Sequence, residues 1–197
     1  MFDIVRFWLK KKVDRFRLDI VARFAKILPF EIIPSSFTFI PSDTSFKRFF
    51  RNSIYNLNHP DTFVFVKELR KVIDEFDKPP RFLVGEVITD ESYVRSYCGG
   101  DKVDGFHSVF LFRTLRTKHS AKNFRKLFEI FEENFKKPHI PTLVFLKHNR
   151  MRRITRFEND VSKAKLHEAF QIKVRVVPYI YYSEETGMES PRMIVKK

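Results

Sequence analysis

Cysteine and glycine are scarce in this sequence, and a long apolar run is absent. The single cysteine, Cys98, excludes an internal disulfide and a cluster of cysteine metal ligands. Apolar stretches stay well short of the length that crosses a bilayer, and residues 1–12 lack the apolar core and small-residue cleavage site of a secretory signal. We therefore expect a cytoplasmic protein that does not bind membranes.

Charge is plentiful and mostly positive, with a formal net charge of +14 for 197 residues. Lysine and arginine are spread along the chain, and the densest run is the three lysines at 10–12. This distribution favours a solvated basic surface over specific binding of nucleic acid. The segment 46–51, Phe-Lys-Arg-Phe-Phe-Arg, fits either stacking on single-stranded nucleic acid or packing in a core or loop.

Short apolar runs alternate with longer helical patterns along most of the chain. Such an alternation is typical of βαβ units and predicts an α/β fold with a parallel sheet. The composition, 43% hydrophobic and 31% charged, is sufficient for the core of one domain over residues 1–197. The predicted strands are 13–21, 81–88, 105–111, 141–146 and 176–182, and the main predicted helices are 61–76, 120–135 and 159–173.

The segment 28–59 breaks this regular pattern, with three prolines and many serines, asparagines and phenylalanines. In a βα unit, such an insertion follows a strand and lies over the end of the sheet. Two interpretations remain open for it: it shapes a binding site, or it is a surface excursion without a role.

Three of the apolar runs end in a polar group, namely Asp19, Glu86 and Asn149. Because the carboxyl ends of parallel strands meet at one edge of a sheet, we expect these side chains to face a common cleft. Arg17 lies two residues before Asp19 and therefore points to the same side of its strand. Taken alone, this arginine and aspartate also fit an ordinary ion pair at a strand end.

Several motifs, in the same order and with similar spacing, resemble the alpha-amylase family of glycoside hydrolases, in its alpha-glucosidase and oligo-1,6-glucosidase branch. Residues 13–19 are similar to the family strand V-D-G-F-R-x-D, and residues 84–87 (V-G-E-V) are similar to the strand that ends in the acid/base glutamate. Residues 148–152 (H-N-R-M-R) stand where the family has N-H-D-x-x-R. Further matches are 58–61 (N-H-P-D), 97–100 (Y-C-G-G) and 178–182 (P-Y-I-Y-Y).

The resemblance covers nearly the whole chain and implies part of a (β/α)8 TIM barrel, with parallel strands corresponding to barrel strands four to eight. Barrel strands one to three have no counterpart here. Five strands do not close a barrel of eight, so we expect exposed sheet edges, or a second chain that supplies the missing strands.

The resemblance also implies roles for individual residues. Asp19 corresponds to the nucleophile, Glu86 to the acid/base and Asn149 to a third catalytic position. Arg17, His148 and Arg152 correspond to residues that hold the substrate or the catalytic aspartate. The implied substrate is an alpha-linked oligosaccharide, cleaved with retention of configuration. We expect neither a cofactor nor a metal ion to take part.

The sequence departs from the family pattern at positions that matter for catalysis. Asn149 replaces a carboxylate, so the charge that stabilises the transition state is lost there. Family glycines are replaced by Arg15, Glu158, Val176 and Ser183, and the chain has five glycines where average usage of about 7% gives about fourteen. We therefore expect weak or no hydrolysis. The alternative function is a non-catalytic remnant or a sugar-binding scaffold.

Overall fold

The computed structural model describes residues 1–23, 58–87, 89, 91–148 and 150–191. The irregular segment predicted at 28–59 lies outside the described residues, apart from Asn58 and His59. Asn149, one of the three predicted catalytic residues, also lies outside them.

Five short strands and seven α-helices alternate along the described parts of the chain. All five predicted strands and the three main predicted helices are present, although each strand is shorter than predicted. The strands are β1 (Arg15–Leu18), β2 (Phe82–Glu86), β3 (Ser108–Phe110), β4 (Thr142–Val144) and β5 (Val177–Tyr179). The helices are α1 (Phe2–Lys10), α2 (Pro60–Asp74), α3 (Glu91–Tyr97), α4 (Arg113–Arg116), α5 (Ala121–Asn134), α6 (Arg153–Arg156) and α7 (Val161–Lys173).

The longer helices begin at residues whose side chains satisfy free backbone N–H groups. The Ser120 hydroxyl accepts a hydrogen bond from the N–H of Asn123 at the start of α5 (3.3 Å). The Asp160 carboxylate accepts from the N–H of Lys163 at the start of α7 (3.0 Å). Such caps are preferred because the first N–H groups of a helix have no partner within it.

The strands pair in parallel, as the alternation with helices predicts. β2 lies between β1 and β3, with Arg17 beside Val84 and Glu86 beside Phe110. β4 pairs separately with β5. The structure therefore has a three-stranded and a two-stranded parallel sheet in its described residues, where the sequence predicts one continuous sheet.

The side chain of Thr142 links the two sheets. Its hydroxyl donates a hydrogen bond to the carbonyl of Val109 (2.7 Å) and accepts one from the N–H of Leu111 (3.0 Å). These are backbone groups of β3 and of the residue just after it, and they would pair with a neighbouring strand in a regular ladder. The Thr142 hydroxyl therefore takes the place of ladder hydrogen bonds between β3 and β4.

The elements differ from the prediction at the end of β1 and at three short helices. β1 ends earlier than predicted because the chain turns after Leu18, where Ile20 has a positive φ of 48°. The sequence does not predict the short helices α3, α4 and α6.

Helices cover the sheets and enclose an apolar core. Within the described residues, none of the helices has the length and apolarity that a membrane crossing requires. Fully buried core side chains include Leu9, Leu69, Ile73, Leu83, Tyr97, Phe106, Phe131, Leu143 and Phe145.

Candidate functional site

Arg17 and Glu86 meet at the carboxyl end of the three-stranded sheet. The register places Leu18 of β1 beside Gly85 of β2, so the end of β1 lies next to Glu86. Arg17 donates a hydrogen bond from Nη2 to Oε2 of Glu86. The sequence predicts both residues at this edge, and the structure brings them into direct contact.

Asp19 belongs to the same cluster but is more open to solvent. Its Oδ1 lies 3.6 Å from Nη2 of Arg17, the nitrogen that also contacts Glu86. The Glu86 side chain is 6% exposed, whereas the Asp19 side chain is 66% exposed. The two carboxylates are therefore held close together by one guanidinium nitrogen, with one carboxylate buried and the other at the surface.

A cleft of about 160 Å³ opens at this end of the sheet. Arg17 and Glu86 lie on one side, and His148 follows β4. Aromatic rings form much of its wall, and burial raises the pKa of the Tyr179 phenol. Among the described residues, Asp19 contacts the cluster without lining the cleft itself. The aromatic lining residues are Phe110, Phe112, Tyr179 and Tyr181.

Lys147 is a charged residue of the cleft that the sequence analysis does not assign to the site. Its Nζ lies 3.7 Å from Oε1 of Glu86 and 4.3 Å from the centre of the Phe112 ring. Each oxygen of Glu86 therefore faces a different cation, Arg17 or Lys147. The sequence feature that could have identified Lys147 as a site residue is its position directly before His148, which is the first position of the pattern N-H-D-x-x-R.

Arg152, predicted to bind substrate, holds a neighbouring loop. Its Nη1 donates a hydrogen bond to the carbonyl of Tyr182 (2.5 Å), and its guanidinium lies 4.8 Å and 4.4 Å from the ring centres of Tyr181 and Tyr182. In the described part of the chain, the residues that line the cleft include Tyr181 but not Arg152. Arg152 therefore contacts a residue of the cleft wall without lining the cleft.

Metal ligands are not clustered at the part of the site that the structure describes. In the ranges that the structure describes, histidine, cysteine, aspartate and glutamate side chains do not gather in groups of three or more that would hold a metal ion. The charged groups at the cleft are instead two cations and one buried carboxylate, with Asp19 beside them. Such a set of groups can bind hydroxyl-rich molecules and exchange protons with them.

The chain has an α/β fold with parallel strands, and its carboxylates and aromatic rings gather at the carboxyl ends of those strands, where β/α-barrel proteins have their active sites. The chain belongs to the alpha-amylase family: residues 1–197 match the family described as "Alpha amylase, catalytic domain". The resemblance stated from the sequence motifs is thereby confirmed.

Curated relatives include glucosidases from an insect and a bacterium. The alpha-glucosidase of Apis mellifera is 28% identical over 189 residues, which are 95% of this chain and 32% of the relative. The oligo-1,6-glucosidase of Heyndrickxia coagulans is 25% identical over 208 residues, 95% of this chain and 35% of the relative. The chain spans about a third of the length of the curated relatives it matches.

Solved structures agree with the fold. The alpha-glucosyl transfer enzyme XgtA matches with a TM-score of 0.77 and 23% identity, over 95% of this chain and 36% of its own. The trehalose-6-phosphate hydrolase of Bacillus licheniformis matches with a TM-score of 0.70 and 20% identity, over 96% of this chain and 34% of its own. The described strands and helices therefore form an α/β unit that aligns with about a third of these larger structures.

Proposed function

We propose that the chain contributes the substrate cleft of an alpha-glucosidase-like hydrolase that binds alpha-linked oligosaccharides and has weak or no hydrolytic activity. The observation that carries this proposal is the contact of one nitrogen, Arg17 Nη2, with the carboxylates of both Asp19 and Glu86. Retaining glycosidases need two carboxyl groups roughly 5 Å apart. In the same proposal, β1 to β5 correspond to barrel strands four to eight.

In the proposed reaction the two carboxyl groups have different tasks. Asp19 attacks the anomeric carbon and forms a covalent glycosyl ester, while protonated Glu86 gives its proton to the leaving glycosidic oxygen. Glu86 then takes a proton from water, and the water oxygen displaces Asp19 from the anomeric carbon. Asp19 lies beside the cleft and is open to solvent, so the sugar must extend beyond the cleft lining to reach it; Arg17 keeps it next to Glu86.

Two features weaken this chemistry. Asn149 stands in place of the third carboxylate of the family pattern, and a loss of about 1.4 kcal/mol of transition-state stabilisation slows a reaction about tenfold. Arg17 also hydrogen-bonds one oxygen of Glu86, the group that must carry a proton when the bond breaks, and Lys147 lies 3.7 Å from the other oxygen. The second candidate function, a sugar-binding scaffold without catalysis, is favoured by this double contact.

A second polypeptide, supplying further strands of the barrel, is part of the same proposal. In the described residues, β1 pairs only with β2 and β5 pairs only with β4, so each has one side without a strand partner. Unpaired strand sides and exposed apolar residues are stabilised when another strand covers them.

The test measures release of nitrophenol from nitrophenyl alpha-glucoside by the purified protein and by its Asn149→Asp variant. We expect little turnover from the wild type and a gain of at least about tenfold from Asn149→Asp, because a carboxylate is restored. Asp19→Ala and Glu86→Gln should each abolish that gain. Binding of maltose, followed by amide NMR shifts, tests the scaffold alternative in the same samples.

Two outcomes contradict the proposal. Turnover that survives both Asp19→Ala and Glu86→Gln would show that other residues, or a contaminant, carry the reaction. A folded protein that neither turns over the glucoside nor binds maltose would exclude both the hydrolase and the scaffold.

A further inference from the structure

Lys147 changes the charge of the cleft relative to the pattern N-H-D-x-x-R. That pattern has an uncharged asparagine and a carboxylate on either side of its histidine. Here Lys147 and Asn149 flank His148, so the three positions have gained a positive charge and lost a negative one. The change amounts to two charge units within three consecutive residues of the sequence.

The charged side chains that line the cleft reinforce this change. In the described part of the chain they are Arg17, Lys147 and Glu86, which gives two positive charges and one negative charge. Arg17 is shared between Glu86 and Asp19. Lys147 faces Glu86 alone, so it is the cation of the cleft with the least compensation.

The ammonium group of Lys147 retains hydrogen-bonding capacity. Its contact with Glu86 is 3.7 Å, which is longer than a hydrogen bond, and its other close contact is the face of the Phe112 ring. Among the described residues, Nζ of Lys147 donates no hydrogen bond, and its side chain is 20% exposed at the cleft. Three N–H donors on a partly buried cation are best satisfied by an anionic acceptor.

We propose that the cleft prefers a saccharide that carries a carboxylate or phosphate group, and that Lys147 binds this anionic group. The inference rests on the proposed function, since it assumes that the cleft takes a sugar. Phe110, Phe112 and Tyr181 then contact the sugar ring, and the anion binds the Lys147 ammonium from the side opposite Glu86. A neutral sugar offers the ammonium only hydroxyl oxygens, which are weaker acceptors for a cation than an anionic group, and it binds more weakly.

Amide NMR titrations of the whole chain at low salt compare four ligands: glucose, glucose 6-phosphate, glucuronate and inorganic phosphate. We expect the dissociation constants of glucose 6-phosphate or glucuronate to be at least about tenfold below that of glucose. The difference between these two sugars identifies the preferred anionic group. High salt should reduce the preference, because ions screen the attraction.

Substitutions of Lys147 test whether this residue causes the preference for charged sugars. Lys147→Gln should bring the charged sugars to within about twofold of glucose, and Lys147→Arg should retain the preference because it keeps the charge. Lys126→Gln removes the same charge from an exposed position of α5, outside the cleft, and should change nothing. Amide spectra of each variant verify that the chain is folded.

The outcomes separate this inference from the proposed function. Equal binding of glucose and the charged sugars overturns the inference and leaves the proposed function standing. Binding of phosphate alone as tight as glucose 6-phosphate also overturns it, since the site would then not recognise a saccharide. A preference that persists in Lys147→Gln excludes Lys147 as its cause. Failure of the folded protein to bind either charged sugar, glucose or maltose overturns both proposals.

Discussion

Arg17, on β1, forms an ion pair with Glu86, at the end of β2. The Glu86 side chain is almost fully buried, so a negative charge on it is stabilised by cations of the protein more than by water. Lys147 approaches the other carboxylate oxygen at 3.7 Å. The adjacent β1 and β2 strands are therefore joined at their ends by charge as well as by backbone hydrogen bonds.

Removal of the Arg17 guanidinium should destabilise the fold. We expect Arg17→Ala to lower the free energy of unfolding by about 2 kcal/mol, because Glu86 would keep a buried charge with one fewer donor. Urea denaturation measures the change. Arg15→Ala, at an exposed position of the same strand, is the matched control and should cost far less. Glu86→Gln added to Arg17→Ala should recover part of the loss; equal losses in Arg15→Ala and Arg17→Ala would argue against this role.

Two residues that replace family glycines have left-handed backbone conformations. Glu158 has a φ of 56° and Ser183 a φ of 62°. Side chains with a Cβ are strained there by roughly 1 kcal/mol, whereas glycine is not. We therefore expect Glu158→Gly and Ser183→Gly each to raise the free energy of unfolding by up to about 1 kcal/mol in urea denaturation.

The other two replaced glycines provide the control for this prediction. Arg15 lies within β1, and neither Arg15 nor Val176 is among the described residues with positive φ. Arg15→Gly should therefore lower stability by about 0.5–1 kcal/mol. Glycine relieves no backbone strain at this strand position, and it raises the conformational entropy of the unfolded chain. A gain in stability from Arg15→Gly similar to that from Ser183→Gly would contradict the argument.

The sequence predicts regular elements better than it predicts side-chain neighbours. Apolar periodicity and proline stops locate the five strands and the long helices, and strand alternation brings Arg17 and Glu86 to one edge. Helices of four residues, such as α4 and α6, are too short to show a period. The contact of Lys147 with Glu86 depends on how β4 lies relative to β2, and no local pattern contains that information.

Thr142 shows the same limit for the sheet. The sequence predicts that it lies in a strand, but not that its hydroxyl hydrogen-bonds the carbonyl of Val109 and the N–H of Leu111. Thr142→Val keeps the shape but leaves a buried carbonyl and a buried N–H without partners. We expect it to lower the free energy of unfolding by about 2–3 kcal/mol. Thr142→Ser, which keeps the hydroxyl, should cost less. Similar losses in both variants would mean that packing by the methyl group dominates.

His167, on α7, makes the stability of the fold depend on pH. Its side chain is buried against the rings of Phe124, Phe145 and Phe157, and it contacts His119. Burial, followed by the nearby charges of His119, Arg153 and Arg156, lowers its pKa from 6.5 to about 3. His167 is therefore uncharged in the folded state wherever the pH is well above 3.

The unfolded chain binds a proton at this histidine below about pH 6.5, whereas the folded chain does not until about pH 3. Stability should consequently fall as the pH drops through this range, by up to about 1.4 kcal/mol per pH unit. We expect the contribution of His167 to lower the free energy of unfolding by about 2 kcal/mol between about pH 7.5 and pH 5. His167→Phe removes the titrating group and suits the aromatic surroundings. Urea denaturation of both proteins at the two pH values checks this: the wild type should lose about 2 kcal/mol more than the variant, and parallel losses would show that other groups govern the pH dependence.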